Sequence, residues 1–447
     1  MLIYIEMSAN PEMNVQMNGG LADSLLAVNQ LNYRLPPQIS IASKTTHVIN
    51  YAQQSSYANG NTMIFDVQTG ASFVDPQASY LRFVVKPLTD QFSFGSGSAC
   101  NIMSRVVVRT STGKELSRVE DANLLIKMMD VYNNANDWRT TIGESQGYTN
   151  ISPVLTKYGS VIPTTGRLFI VPFQTFMPCM SPHGAKLVPP NLMSGLRIEI
   201  TLAATFDAFC AYDQTTPLAT LTGYTVDAVE LHLKTHELAD AFQRKIQELS
   251  VSGLNYLYKE HFHNIVSPGA NSNINFDVKK ACSKAITARI MTRGASNTDP
   301  LAVNGRDKMA SAPFNYIKYQ AHIGSDYFPN APLQLDATPS INNINESYYY
   351  TMYAQDKLEK WNPPGVTPLE YLGTSTLGAT ATEFQNGIIA FNFNKSNVSD
   401  MAGYTISNSR ALLVDLQQAT AANVRIDVFL TFLRLAKVYQ SNCVVLD

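Results

Sequence analysis

The sequence predicts an all-β protein made of two tandem eight-stranded antiparallel jelly rolls, a double jelly roll, with short inserted helices. Tyr (22) and Phe (20) are abundant, which favours strands, and frequent Asn, Ser and Gly favour turns. Apolar and polar residues alternate in many short segments, which is the period of a strand. A Phe-Asp-Val segment at 65–67 returns at 276–278, inside two series of elements that follow the same order.

The 447 residues divide into three predicted regions. Residues 1–48 show little alternation, so we expect an N-terminal arm with one short amphipathic helix within 19–32. Residues 49–238 form the predicted first jelly roll, and residues 239–447 form the second. Apolar residues at helical spacing over 236–249 predict a helical connector at the start of the second roll.

The first series begins where the period changes to two, near Ile49. Pro87 ends one strand because proline lacks the amide hydrogen of the ladder. Ser111, Thr112 and Gly113 form a turn between two strands, and Asp and Glu in the first turn support the helix that follows. The predicted elements are strands at 62–67 and 78–87, a strand–turn–strand segment at 103–121, a helix at 120–134, and strands at 166–173, 195–204 and 224–235.

The second series repeats this order about 205–220 residues later, with low residue identity. Its predicted elements are strands at 273–278 and 284–293, a strand–turn–strand segment at 316–334, a helical segment at 345–358, and strands at 386–393, 410–419 and 423–438. Each copy thus holds about eight strands, and its long connections argue against a simple meander. Eight antiparallel strands in two sheets form a jelly roll.

The charge content of the sequence limits the kinds of molecule that this protein is expected to bind. Charged residues are 15% of the chain, below the usual figure of about 25%, which favours a protein that assembles with its own copies. The net charge is −2 and no Lys/Arg run occurs, so we expect no sequence-specific nucleic-acid partner. No apolar run approaches the ~18 residues of a membrane span, and the first residues are too short for a signal peptide. Both Met1 and Met7 are plausible translation starts.

The five cysteines are scattered and form no Cys-x-x-Cys pair. We therefore expect small apolar core residues in a reducing compartment rather than a disulfide framework or a metal site. They are Cys100, Cys179, Cys210, Cys282 and Cys443. Four Asn-x-Ser matches, at Asn150, Asn345, Asn394 and Asn397, are interpreted as chance matches.

His261 and His263 are the sharpest candidate metal ligands. Alternation along a strand would place both imidazoles on one face, as in the His-x-His of cupins. No carboxylate follows where a cupin needs one, so the alternative is two half-exposed histidines at a domain junction. His232 and His236 lack the Glu of a His-Glu-x-x-His helix, and Cys179 with His183 lacks a second pair.

Other patterns give no site. The segment 109–115 contains Gly-Lys, but Val108 stands where a phosphate-binding loop needs its earlier glycine, so a hairpin turn is expected. The run Tyr348–Tyr350 can stack on sugars or bases, or else pack in a core and a subunit contact. The Asp of each Phe-Asp-Val is expected to face a loop or a neighbour. We therefore predict no catalytic, cofactor-binding or metal-binding residue, and no cofactor.

Six segments, taken in order, resemble the double jelly-roll major capsid proteins of DNA viruses, especially the compact ones of virophages, polinton-like viruses and adintovirus-like elements. They read IFDVQTGASFVDPQASYLRFVV, SRVVVRTSTGKELSRVEDANLL, YTVDAVELHL, KYQAHIGSDYFPNAP, AGYTISNSRALLVDL and VRIDVFLTFLRLAKV. The resemblance covers about 50–447, nearly the whole chain.

The resemblance implies a structural protein rather than an enzyme. It implies a homotrimeric capsomer with a pseudo-sixfold outline, which tiles an icosahedral shell in the virion after assembly inside the host cell. Its partners would be its own copies, neighbouring capsomers, and penton and minor capsid proteins; contact with a membrane stays open. The alternatives are a carbohydrate-binding jelly-roll protein, a cupin-type metal enzyme, and a minor capsid or penton protein.

Overall fold

Two jelly rolls follow each other along the chain in the computed structural model, as the sequence predicts. The predicted helix within 19–32 lies outside the described residues. Residues 44–447 form one compact unit. The structure describes residues 42–89, 92–94, 97–139, 141–148, 161–180, 187–211, 221–294, 309, 311, 316–335, 344–358, 365–372, 386–394, 403–439 and 443–446.

The first roll consists of two facing sheets. One has the order β1-β11-β4-β8, with β2 beside β11, and the other has the order β3-β9-β6-β7, while β5 and β10 pair separately. Numbered among the eight principal strands, these orders are 1-8-3-6 and 2-7-4-5, as in a jelly roll. The strands are β1 Ala42–Tyr51, β2 Ser56–Ala58, β3 Thr62–Asp66, β4 Phe73–Pro87, β5 Phe92–Ser93, β6 Met103–Arg109, β7 Glu115–Glu120, β8 Arg167–Pro172, β9 Arg197–Leu202, β10 Cys210–Ala211 and β11 Tyr224–Leu238.

The second roll repeats the same two orders. Its strands are β12 Leu254–Val266, β13 Ala270–Val278, β14 Cys282–Gly294, β15 Tyr316–Ile323, β16 Asp326–Gln334, β17 Ile389–Asn392, β18 Tyr404–Ile406, β19 Leu412–Val438 and β20 Cys443–Leu446. The end of β19 pairs with β12, and β14 lies between β19 and β17; the start of β19 pairs with β13 and β15, and β16 follows β15.

The strand β19 differs from the prediction of separate strands at 410–419 and 423–438. It runs unbroken from Leu412 to Val438 and serves as the seventh and the eighth strand of the roll. In the first roll, the equivalent strands β9 and β11 are separated by residues 203–223. The Thr-Ala-Ala segment at 420–422, between the two predicted strands, has no Gly or Pro, so nothing in it forces the strand to stop.

The repeated Phe-Asp-Val segments occupy equivalent positions in the two rolls. Phe65 on β3 pairs with Ile198 on β9, and Phe276 on β13 pairs with Val414 on β19. In both cases the second strand of a roll pairs with the seventh. The repeated letters therefore mark a structural duplication.

Short helices lie in the connections. The predicted helix at 120–134 is present as α1, and the connector helix begins at Asp240 because His236 still pairs with Phe73 in the sheet. Strand β1 begins at Ala42, within the region predicted as the arm. The helices are α1 Ala122–Asn133, α2 Asn136–Arg139, α3 Ile142–Ser145, α4 Phe173–Phe176, α5 Pro190–Met193, α6 Thr205–Ala208, α7 Asp240–Ser252, α8 Asn345–Ala354 and α9 Pro368–Leu372, with 3-10 turns at Ala99–Ile102 and Pro178–Met180.

Two apolar cores stabilise the rolls. One core fills the second roll between its sheets and includes Ile290, Phe391 and Val428. The other fills the first roll and continues across the junction, where it takes in Met291 and Phe429 of the second roll. The rolls are therefore packed against each other through apolar side chains, which is the dominant favourable term in such contacts. Among the described residues, no helix is long and apolar enough to cross a membrane.

Candidate functional site

The junction between the two rolls is built along β12, the first strand of the second roll, and β7, the fifth strand of the first. The Tyr258 hydroxyl donates to the Leu116 carbonyl over 2.8 Å. One oxygen of Glu260, Oε1, accepts from the Ser117 hydroxyl at 3.0 Å and from the Arg118 amide at 3.3 Å. Leu116, Ser117, Tyr258 and Glu260 are buried, whereas Arg118 is exposed, so Arg118 marks the solvent edge of this line of contacts.

Helix α1 of the first roll adds a second line of contact. The Tyr132 hydroxyl donates to the Asn386 carbonyl at 2.7 Å, and the Lys357 ammonium donates to the Asn133 carbonyl at 2.8 Å. The Lys127 ammonium donates to the Met309 carbonyl. These bonds join residues 182 or more positions apart in the chain, so α1 fixes the second roll against the first.

A charged cluster lies at the same junction, centred on Asp427 of β19. Arg293 binds its Oδ2 at 2.8 Å, and Arg425 binds its Oδ1 at 2.9 Å. Nε2 of His263 lies 3.1 Å from Oδ1. Burial alone would raise the pKa of Asp427, but the bond to His263 and the charges of the two arginines lower it to about 2. The carboxylate therefore stays charged, with no exposed surface of its own.

Asp121 brings the first roll into this cluster. Its Oδ2 accepts from Arg425 at 2.8 Å and lies 3.6 Å from Nδ1 of His263. Asp121 precedes α1 with a left-handed backbone, φ 44, and its side chain makes no capping hydrogen bond. The sequence indicated an acidic helix start here, whereas the carboxylate instead pairs across the junction. The sequence did not predict a group made of Asp121, Arg293, Arg425 and Asp427.

The two candidate metal ligands of β12 do not form one site. Nδ1 of His261 lies 3.0 Å from the Thr431 hydroxyl, and its Nε2 has no partner. Burial, together with the charges of Arg289 and Lys259, lowers the pKa of His261 to about 3. His263 does meet carboxylates: ligand atoms of Asp121, His263 and Asp427 all lie within 4.8 Å of one another.

This group of three fits an ion-pair network better than a metal. Arg293 and Arg425 already bind the oxygens of Asp427 and Asp121 that a cation would need, and they supply the compensating charge. We expect zinc to leave the thermal unfolding midpoint of the protein unchanged, because only an ion that binds the folded state raises it. The His263→Ala variant is the control: its response to zinc should match that of the wild type. A midpoint that rises with zinc in the wild type alone would establish a metal site.

His232 and His236 lie on the first roll and hold β1 to β11. Nδ1 of His232 is 2.9 Å from Nε2 of His47, and its Nε2 is 3.0 Å from Glu230, which also binds Arg82 at 3.0 Å. Nδ1 of His236 is 2.9 Å from the Thr45 hydroxyl. The two histidines have separate partners, so they form no shared site.

The remaining candidates are structural. The segment 109–115 is a hairpin turn closed by Thr110 and Lys114, and Gly113 has a positive φ of 80°. Cys179 is buried, which raises the pKa of its thiol, and His183 lies outside the described residues. Asp66 is exposed beside Arg197, and Asp277 lies near Lys279.

The tyrosine run of α8 divides its three rings between core and surface. The Tyr348 hydroxyl donates to the Val366 carbonyl at 2.7 Å, and Tyr350 packs against the core of the second roll. Tyr349 is 57% exposed. One ring thus remains available for contact with another molecule.

The chain is similar in structure to several solved viral capsid proteins. The chain is similar to PBCV-1 VP54 as fitted into the virophage Sputnik (TM-score 0.59, 10% identity, 93% of this chain and 99% of that chain). It is similar to the Faustovirus major capsid protein (TM-score 0.57, 9% identity, 93% and 94%) and to the mavirus major capsid protein (TM-score 0.51, 12% identity, 93% and 92%). No protein-family model and no curated protein matches the chain. The chain therefore has the double jelly-roll fold of these capsid proteins.

Proposed function

We propose that this protein is a major capsid protein, which self-assembles into pseudo-hexameric trimeric capsomers that tile the icosahedral shell of a DNA virus. The observation that carries the proposal is the duplication: two jelly rolls of equal topology, packed side by side, match major capsid proteins over 93% of the chain. Three such subunits would supply six similar rolls to one ring. The protein would then reside in the virion.

Self-association is the functional act in this proposal, and catalysis has no part in it. The described free thiols, Cys100, Cys179 and Cys282, are buried, and burial raises their pKa values, which suits packing rather than nucleophilic chemistry. Low overall charge suits a large contact with like subunits. We further propose penton and minor capsid proteins as partners. We also propose residues 1–48 as an arm whose residues 42–48 enter the first roll as part of β1, and a division between the two rolls at residue 238.

The oligomeric state tests this function. Light scattering after size exclusion should give about three times 49.2 kDa, and negative-stain images of the same peak should show a hexagonal outline. Closed shells at higher concentration would be stronger support. A monomer that persists at high concentration and moderate salt would overturn the proposal, and glycan binding by that monomer would favour the carbohydrate-binding alternative.

A further inference from the structure

We propose that the subunit contact of the capsomer is made by the outer face of the β1-β11-β4-β8 sheet, and that the second roll of another copy of this chain covers it. This inference rests on the proposed function and assigns its interface. Here the outer face means the side of that sheet turned away from the core of the first roll, with Val84, Lys86, Leu168, Ile170 and Asp227. The same face of the second roll is already covered within the chain, where Met291, Ile388 and Ala390 are buried.

Strand registers define which residues are equivalent. In the first roll, the ladder between β4 and β11 ends at the pair Pro87–Tyr224. In the second roll, the ladder between β14 and β19 ends at Gly294–Val424. At the third position in from each end, Val84 pairs with Asp227 in the first roll and Met291 pairs with Asp427 in the second. Val84 is therefore equivalent to Met291, and Asp227 to Asp427.

The sixth strands extend the same correspondence. Arg82 of β4 pairs with Ile170, and Arg289 of β14 pairs with Ala390. Val84 pairs with Leu168. In the second roll, Ile388 lies one step beyond the pair Ile290–Ile389, beside Met291. Leu168 and Ile170 of the first roll therefore correspond to Ile388 and Ala390 of the second.

Exposure separates the equivalent residues sharply. Leu168 is 45% exposed and Ile170 is 39% exposed, whereas Ile388 and Ala390 are each 2% exposed. Met291 is fully buried, and it shares a core with residues of the first roll. Helix α8 contacts β17, and Gln355, which directly follows α8, accepts a hydrogen bond from Arg289 on this face. Apolar side chains thus occupy this face in both rolls, but only one of the two faces is covered within a single chain.

A charged pair repeats in the same way. Asp427 with Arg293 corresponds to Asp227 with Lys86, whose charged atoms are 2.7 Å apart. Asp427 is wholly buried, and Arg425 bridges it to Asp121 of the first roll by binding both carboxylates. The side chain of Lys86 is 41% exposed. The first roll therefore carries one ion pair of the kind found in the junction cluster, and this pair is partly exposed to solvent.

The same correspondence identifies the strand that would cover this face. Within the chain, β7 at the edge of one sheet meets β12, the first strand of the next roll. The equivalents are β16, also an edge strand, and β1. The β16 edge of one copy would meet β1 of the next, where Ile49 and Tyr51 are 39% and 68% exposed. Such a head-to-tail contact closes into a ring when three copies complete the rotation.

Two double variants test the face. Leu168→Lys with Ile170→Lys places two ammonium groups where burial is proposed, and we expect at least a tenfold rise in the concentration at which trimers dissociate. Leu249→Lys with Val251→Lys is the matched control, since these residues are 48% and 68% exposed on α7, which is not part of the sheet. Mass photometry over a dilution series measures dissociation, and circular dichroism checks that each variant is folded.

Each outcome bears on a different claim. The proposed contact face is supported if the wild type and the control are trimeric while the Leu168/Ile170 variant is folded but monomeric. If that variant stays as trimeric as the wild type, the face is wrong while the proposed function stands. Equal loss in both variants would also overturn the assignment. If the Leu168/Ile170 variant does not fold, Ile170→Gln replaces it under the same criteria. A wild type that never associates overturns both the function and the face.

Discussion

Replacing Asp427 with Asn should lower the free energy of unfolding by about 3–5 kcal/mol, because removing one member of a buried ion pair leaves its partners charged and uncompensated. Asp427 has no exposed surface, and the side chains of Arg293 and His263 are 7% and 3% exposed. An amide in its place cannot balance Arg293 and Arg425. Arg425 keeps its bond to Asp121 in this variant, so the loss falls on the contacts of Asp427 with Arg293 and His263.

Guanidinium unfolding followed by circular dichroism measures this loss. The control is Asp326→Asn, because Asp326 binds Arg410 at 2.7 Å with both side chains more than 40% exposed. An exposed pair of this kind contributes about 0–1 kcal/mol, so the control should be nearly neutral. Similar small losses in both variants would show that the junction does not depend on the charged cluster.

The order of elements was predictable because each strand carries a local signal. Alternation located β3, β9 and β11 within a few residues, and the repeated Phe-Asp-Val segments fall on equivalent strand pairs. The buried partner of each alternating face lies in the opposite sheet of its own roll. Local pattern and global fold therefore agree, which is why the double jelly roll could be predicted.

The junction could not be predicted, because it joins residues that are far apart in the chain. Arg425 and Asp427 lie two apart in the segment Val424–Leu433, which is otherwise apolar except for Thr431, and that spacing puts both side chains on one face. This was the available signal for a buried charged pair. Its partners, Arg293 and Asp121, are 134 and 304 positions away from the residues they bind. Likewise, the exposure of Leu168 indicates a contact surface only when it is compared with the burial of its equivalent in the second roll, Ile388.

Glu260 makes the stability of the junction depend on pH. Burial raises the pKa of Glu260 from 4.5 to about 7, and its second oxygen, Oε2, has no hydrogen-bond partner. Between these two pH values the folded state keeps the proton and the unfolded state has lost it. The contribution of Glu260 to stability therefore falls as pH rises from 4.5 to about 7, and this loss is complete above about 7. At 1.36 kcal/mol per pKa unit, it amounts to about 3 kcal/mol.

The Glu260→Gln variant should remove this dependence. Its amide stays neutral at every pH and its oxygen can still accept from Ser117 and Arg118, so at pH 8 the variant should be more stable than the wild type by about 3 kcal/mol. Below pH 4.5 the two proteins should be nearly equal. Asp130, whose pKa burial also raises to about 7, contributes to both curves and cancels in their difference.

Guanidinium unfolding from pH 4 to pH 9 gives the two curves, and Glu120→Gln, at an exposed carboxylate of the neighbouring strand β7, is the control. Parallel curves for Glu260→Gln and the wild type would mean that the buried carboxyl does not titrate in this range. If the difference in unfolding free energy between Glu260→Gln and the wild type grows with pH, the titrating proton is the one on Glu260, at the contact between the rolls. Since that contact joins two of the six rolls proposed for each capsomer, raising the pH from about 4.5 to about 7 should then loosen the ring at this junction rather than within either roll.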